Sequence, residues 1–143
     1  MNLEFKIIGQ NFKNAGEASF EVKNCLKRLG LSGHTIRRVA TATYEAELNV
    51  IIHAEKGTLR VLIDDQDIEV IVRDVGPGIP NIELAMKEGY TTAPPFVKEM
   101  GYGSGMGLPN IKKNSDWMKI ESEVNRGTIL HFKVHLPERM KEG

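Results

Sequence analysis

Ile68-Glu-Val-Ile-Val72 runs into Arg73-Asp-Val-Gly-Pro-Gly-Ile-Pro80, and there an alternating segment breaks into a turn built on Gly76 and Gly78. Apolar Ile68, Val70 and Val72 alternate with charged Asp67, Glu69 and Arg73. That is the period of a strand with one buried face. On the same period Asp74 points with the apolar set, so an acid closes a core-facing row. A carboxylate there is costly unless it accepts hydrogen bonds. Gly76 and Gly78 lack Cβ atoms, so a flat ligand could approach the backbone closely. A strand followed by a tight turn with an Asx hydrogen bond accounts for the same residues. Stretches on either side separate the two readings.

At 143 residues the chain fits one domain, 1–143, with one core. Its 41% apolar and 27% charged residues are those of an ordinary soluble globular protein. Lys plus Arg balances Asp plus Glu, giving a formal net charge of zero. That balance points to no nucleic-acid surface and no membrane footprint. Cys25 is the only cysteine. No internal disulfide forms, so a reducing cytoplasm is the expected compartment. Cys25 falls at an apolar position of a helix and reads as a small core residue. Met1 to Gln10 lacks the basic-then-apolar pattern of a signal peptide, and no apolar run approaches a membrane span.

Leu3 to Ile8 alternates as a strand. Asn14, with Glu17 three residues on, resembles a capping box opening a helix through Ala18, Val22, Cys25, Leu26 and Leu29. Gly30 is the expected stop. Ser32 or Thr35 caps a second helix running to about Glu55. Ile36, Val39, Ala40, Val50 and Ile51 line its core side, and Gly57 ends it. Leu59, Val61 and Ile63 mark the next strand, and Asp64 to Asp67 turns into the strand quoted first. Asn81 caps a short helix to Gly89. Tyr90 to Gly101 has no period and carries Pro94-Pro95, the pattern of a lid, a binding loop or a disordered segment; as a lid it is expected to be mobile without ligand. A helix is expected from Pro109 to about Ser115. Two strands follow: Trp117 to Val124, with Met118, Ile120, Ser122 and Val124 buried, and Thr128 to Leu136, with Leu130, Phe132, Val134 and Leu136 buried. Asn125-Arg-Gly127 is the turn between them. Successive hairpins predict an α+β fold: a mostly antiparallel sheet with the helices on one face.

Glu45, Asn49 and His53 fall at i, i+4 and i+8 of the second helix and share one stripe. An amide oxygen there could ligate Mg²⁺ without adding charge, and a carboxylate could accept a proton. A solvated polar face would also explain the Glu–Asn pair taken alone, and His53 alone reads as a packed or capping histidine near the helix C-terminus rather than a ligand. Gly103-Ser-Gly-Met-Gly107 precedes a helix start, where small residues let backbone N–H groups approach phosphate. Neither the dinucleotide fingerprint nor a P-loop is present.

E-x-x-x-N (Glu45, Asn49), D-x-G-x-G (Asp74, Gly76, Gly78), G-x-G-x-G (Gly103, Gly105, Gly107) and G-T (Gly127, Thr128) occur in that order. The series resembles the GHKL ATPases: gyrase, Hsp90, histidine kinases and MutL. The likeness spans roughly Ile36 to Leu136. It implies a two-layer α/β sandwich, the Bergerat fold, with ATP between helices and sheet. It implies that Asp74 holds the adenine amino group, with Gly76, Gly78 and Thr128 around it. It further implies that Asn49 ligates Mg²⁺, Glu45 is the general base, and Gly103, Gly105, Gly107 and Leu108 wrap the phosphates.

A lone domain of this length resembles the anti-sigma-factor serine/threonine kinases, and Asp74 to Pro80, Glu88 to Thr92 and Gly105 to Ile111 look most like the stressosome switch kinase. Met106 stands where that box commonly has Leu. The resemblance implies Mg-ATP-dependent phosphorylation of a Ser or Thr on a STAS-domain partner. It admits a sigma factor as a further target and a homodimer as the assembly. An ATP-binding partner switch without kinase activity is the other function it allows. Glu45 favours the enzyme, because nucleotide binding alone needs no base there.

Overall fold

A computed structural model describes residues 1–103 and 105–137. A five-stranded antiparallel sheet carries the helices on one face. Its strands are β1 (Asn2–Ile8), β2 (Lys56–Ile63), β3 (Asp67–Val75), β4 (Trp117–Glu123) and β5 (Gly127–His135). They lie in the order β1-β2-β3-β5-β4, so β3 is the central strand. The long helices are α1 (Glu17–Arg28) and α2 (Gly33–His53), followed by short α3 (Ile82–Ala85), α4 (Pro95–Glu99) and α5 (Gly107–Lys113). Among the described residues no helix is long and apolar enough to cross a membrane.

The inner rows of β2, β3 and β5 are the alternating sets expected, whereas Met118, Ile120 and Ser122 of edge strand β4, expected to be buried, are only half-buried because no further strand covers that edge. Leu59, Val61, Ile68, Val70, Val72, Leu130, Phe132, Val134 and Leu136 are all buried. α1 and α2 close over them with Val22, Leu26, Ile36, Val39, Val50 and Ile51, and Cys25 is buried among them. Each fully buried aliphatic or aromatic side chain contributes about 1.5–3 kcal/mol. The hairpin from β2 to β3 turns on Asp64, whose carboxylate accepts the Gln66 and Asp67 N–H groups at 2.8 Å each.

Several boundaries differ from the sequence expectation, each for a local reason. Asn14 does not cap α1. It ends a short 3-10 turn at Phe12–Asn14, and Gly16, at φ 96°, precedes the helix without a side-chain cap. Ser32 rather than Thr35 caps α2, accepting the Thr35 N–H at 3.2 Å, while Thr35 is buried. Ala40 is only half-buried. α2 ends at His53 because Ala54 turns extended, not because of Gly57, which lies within β2. α3 stops at Ala85, although Asn81 does cap it at 3.1 Å. The segment from Tyr90 holds α4, with Pro95 in its first turn. α5 begins at Gly107, two residues before Pro109. Val124 lies beyond the end of edge strand β4 and is 51% exposed.

Candidate functional site

Asp74 ends the inward row of β3, in line with Ile68, Val70 and Val72. Its carboxylate accepts the Thr128 N–H at 3.1 Å. Burial pushes its pKa up, and the Thr128 bond pulls the other way. Glycine flanks Asp74 on both neighbouring strands. Gly57 is its register partner on β2, where a Cβ would sit 2.8 Å from the Arg73 carbonyl oxygen. Gly127, opening β5, passes so close that a Cβ would overlap the Asp74 carbonyl oxygen. The Gly-Thr pair therefore has two parts: Gly127 permits the approach, and Thr128 supplies the donor.

Ser122 ties this corner together. Its hydroxyl donates to the Gly127 carbonyl at 3.1 Å and accepts the Ile79 N–H at 2.7 Å. It also meets the Thr128 hydroxyl at 2.9 Å. The loop after β3 is thus fastened to β4 and β5. Sequence reading placed Ser122 only by alternation, because nothing local marks a hydroxyl that bridges three strand ends.

A cleft of about 500 Å³ opens in front of Asp74. Gly78, Ile79, Leu84 and Ala85 line one wall, with Asp74 and Thr128 at the back. Across it α2 presents Glu45, Asn49 and His53, the stripe expected from their spacing. Gly103, Gly105, Gly107 and Leu108 complete the rim. Of the residues expected at the site, Gly76 alone does not face the cleft. It packs against the end of α2, where a Cβ would lie 3.0 Å from Ala54 Cα. The cleft also gathers Tyr44, Leu48, Ile52 and Tyr102. Their side chains carry no motif; Tyr44, Leu48 and Ile52 come from the face of α2, and Tyr102 from the loop after α4.

Burial pushes the Glu45 carboxyl above the usual glutamate range, opposed by a hydrogen bond from the Asn110 side chain of α5. Gly107 lies against Glu45, where a Cβ would sit 3.3 Å from Oε2. Burial pushes the His53 imidazole down, which favours its neutral form. Gly105 has φ 82° and crosses Gly89 closely. Its carbonyl accepts the Gly89 N–H at 2.9 Å, and a Cβ would overlap Gly89. Only glycine fits both the conformation and the crossing.

Among the described residues no three His, Cys, Asp or Glu side chains gather to hold a metal. The α2 wall offers one amide and one carboxylate. That donor set suits a Mg²⁺ ion whose remaining ligands are phosphate and water.

Comparison with known proteins gives the chain a family and a fold. Residues 34–140 match the family described as histidine kinase-, DNA gyrase B-, and HSP90-like ATPase. The anti-sigma F factor of Geobacillus kaustophilus is 31% identical over 144 residues, covering 95% of this chain and 92% of that protein. The anti-sigma F factor of Priestia megaterium is 32% identical over 145 residues, with the same coverage of 95% and 92%. That of Clostridium acetobutylicum is 33% identical over 136 residues, covering 92% and 91%. A solved structure of the mycobacterial sensor histidine kinase MprB superimposes with a TM-score of 0.56 at 18% identity, over 95% of this chain and 98% of that one. At that identity the likeness concerns the fold alone.

Proposed function

The chain belongs to the histidine kinase-, DNA gyrase B- and HSP90-like ATPase family, and on that footing we propose that it is a Mg-ATP-dependent serine/threonine protein kinase acting as an anti-sigma regulatory factor. Residues 1–143 serve as one kinase domain, and the protein acts in the cytoplasm. Its phosphoacceptor is a STAS-domain partner, and a sigma factor is the target so regulated. The relatives named anti-sigma F factor support the regulatory part.

One observation carries the chemical part. Asp74 and Thr128 on the sheet face Glu45 and Asn49 on α2 across a single cleft, with the 103–107 glycines along its rim. In this reading Asp74 accepts the adenine amino group as a charge-assisted hydrogen bond. Gly78 admits the flat base, and Gly76 keeps the turn pressed onto α2. Gly103, Gly105, Gly107 and Leu108 form the phosphate side, where exposed backbone donors suit an anion. Asn49 holds Mg²⁺, which neutralises charge on the phosphates. Glu45 accepts the proton of the attacking serine or threonine hydroxyl. Its raised pKa brings it nearer the operating pH, where a base is most useful. The test incubates the purified chain and labelled ATP with STAS-domain proteins of the same genome. Label on a serine or threonine of one of them is expected. ATP binding without any transfer would instead favour a partner switch that uses ATP only to shape its surface.

A further inference from the structure

Glu47 is the only charged side chain in the fully buried set among the described residues, at 2% exposure. It lies midway between Glu45 and Asn49 on α2, so it leaves the helix on the side away from the cleft. Its carboxylate accepts three backbone N–H groups: Gly16 at 3.1 Å, Ala18 at 3.2 Å and Ser19 at 3.0 Å. These donors belong to the N-cap residue and the first turn of α1, which has no side-chain cap of its own. Glu47 therefore caps one helix from within another, using charge-assisted bonds at the positive end of α1.

The chain just before α1 is fastened to the other end of α2. The Gln10 side chain donates to the Ile51 and Ile52 carbonyls at 3.3 and 3.0 Å. The Gly9 N–H donates to the Glu55 carbonyl at 2.8 Å. Between these fastenings and the Glu47 grip sits Phe12. Its ring stacks on Tyr102, with centroids 5.4 Å apart. Phe12 and Ala15 also pack on the small cluster of Leu48, Ile52, Ala93 and Val97, which seats α4 on α2. Tyr102 itself lines the cleft between Gly101 and Gly103.

We propose that Glu47 is a positioning residue for the nucleotide site: by gripping Gly16 to Ser19 it presents Phe12 to Tyr102, and so sets the 90–103 segment over the cleft. The proposal rests on the ATP-binding reading above. A purely stabilising role for Glu47 would change the melting temperature and leave this segment as it was.

The test uses the full chain as wild type, Glu47→Gln, Phe12→Ala, Phe12→Tyr and the Glu47→Gln, Phe12→Ala double variant. A non-hydrolysable ATP analogue is titrated, and hydrogen exchange of 90–103 is followed with the analogue bound. Glu47→Gln and Phe12→Ala should each weaken binding roughly five- to tenfold, the scale of one lost hydrogen bond or ring contact. Both should speed exchange in 90–103, while Phe12→Tyr, which keeps the ring, retains wild-type behaviour. The double variant should be no weaker than the worse single one, because both act through the same contact. Additive losses, or wild-type protection of 90–103 in Glu47→Gln, would overturn the proposal. If Glu47→Gln does not fold, the Phe12 pair decides, and wild-type affinity and protection in Phe12→Ala overturns it. A wild type that binds the analogue while every variant binds equally removes this proposal alone. A wild type that binds no nucleotide removes the ATP reading and this proposal with it.

Discussion

Asp74 shows how much a single residue can disclose. Its place in the inward row was legible from period-two alternation, and the Gly-Pro-Gly turn marked where the row ends. The glycines across from it were not equally legible. Gly127 was read as the end of a turn and as part of the Gly-Thr box, and Gly57 as a helix stop; neither reading set them beside Asp74, because register across strands is not written in local sequence. The structure makes both of them room for Asp74. In this account the adenine bond needs the ionised carboxylate. Burial raises the Asp74 pKa, so the ionised form is complete only above that raised value. Nucleotide affinity should therefore fall as pH is lowered through the acid range, beginning higher than an ordinary aspartate would allow. Asp74→Asn should weaken ATP strongly and abolish that acid limb, as calorimetry across pH would record. Stability has the opposite sign: a raised folded-state pKa favours the fold at low pH and weakens it as pH rises through that value. Asp74→Asn should thus lose affinity without losing stability at neutral pH. Unchanged ATP affinity in the variant would contradict the adenine role.

Among the elements, α2 carries most of the residues to which the proposed chemistry is assigned. Its stripe of Glu45, Asn49 and His53 was legible because helical spacing alone fixes a shared side. Its opposite side was not. Nothing in the local sequence sets Glu47 apart, and only tertiary packing turns it toward α1. The same limit explains α1, whose start was assigned to an Asn14 capping box while the actual cap comes from a residue 31 positions away. Asn49 on α2 is open to a specific test. If its amide oxygen is a metal ligand, Asn49→Ala should weaken Mg-ATP far more than metal-free ADP. Titration of both nucleotides, with and without Mg²⁺, checks this. Equal losses for the two would make Asn49 a structural residue.

For the molecule as a whole, the sheet came through best, because alternating rows are read residue by residue and antiparallel pairing follows from hairpins. Edges and connections came through less well. Val124 was expected inside but lies just past the end of edge strand β4, where the sheet no longer covers it. The 90–101 segment has no period, yet α4 forms there because Val97 finds a fully buried seat on α2. The core and the cleft are separable in this architecture. Phe132, at 0% exposure, lies in the middle of the inward rows and does not line the cleft. Phe132→Ala should cost about 3–5 kcal/mol in denaturant unfolding. At temperatures where the variant remains folded, ATP affinity should be near that of wild type.

In the function proposed above, this cleft transfers phosphate to a protein hydroxyl with Glu45 as the base. Single-turnover transfer from labelled ATP to a STAS-domain acceptor, in wild type and Glu45→Gln, tests it most directly, with ATP binding titrated in parallel. Glu45→Gln keeps the shape and removes the base and a negative charge beside the phosphates. ATP affinity is expected to hold or rise in the variant while transfer falls by on the order of a hundredfold or more. Transfer by Glu45→Gln at the wild-type rate would contradict it.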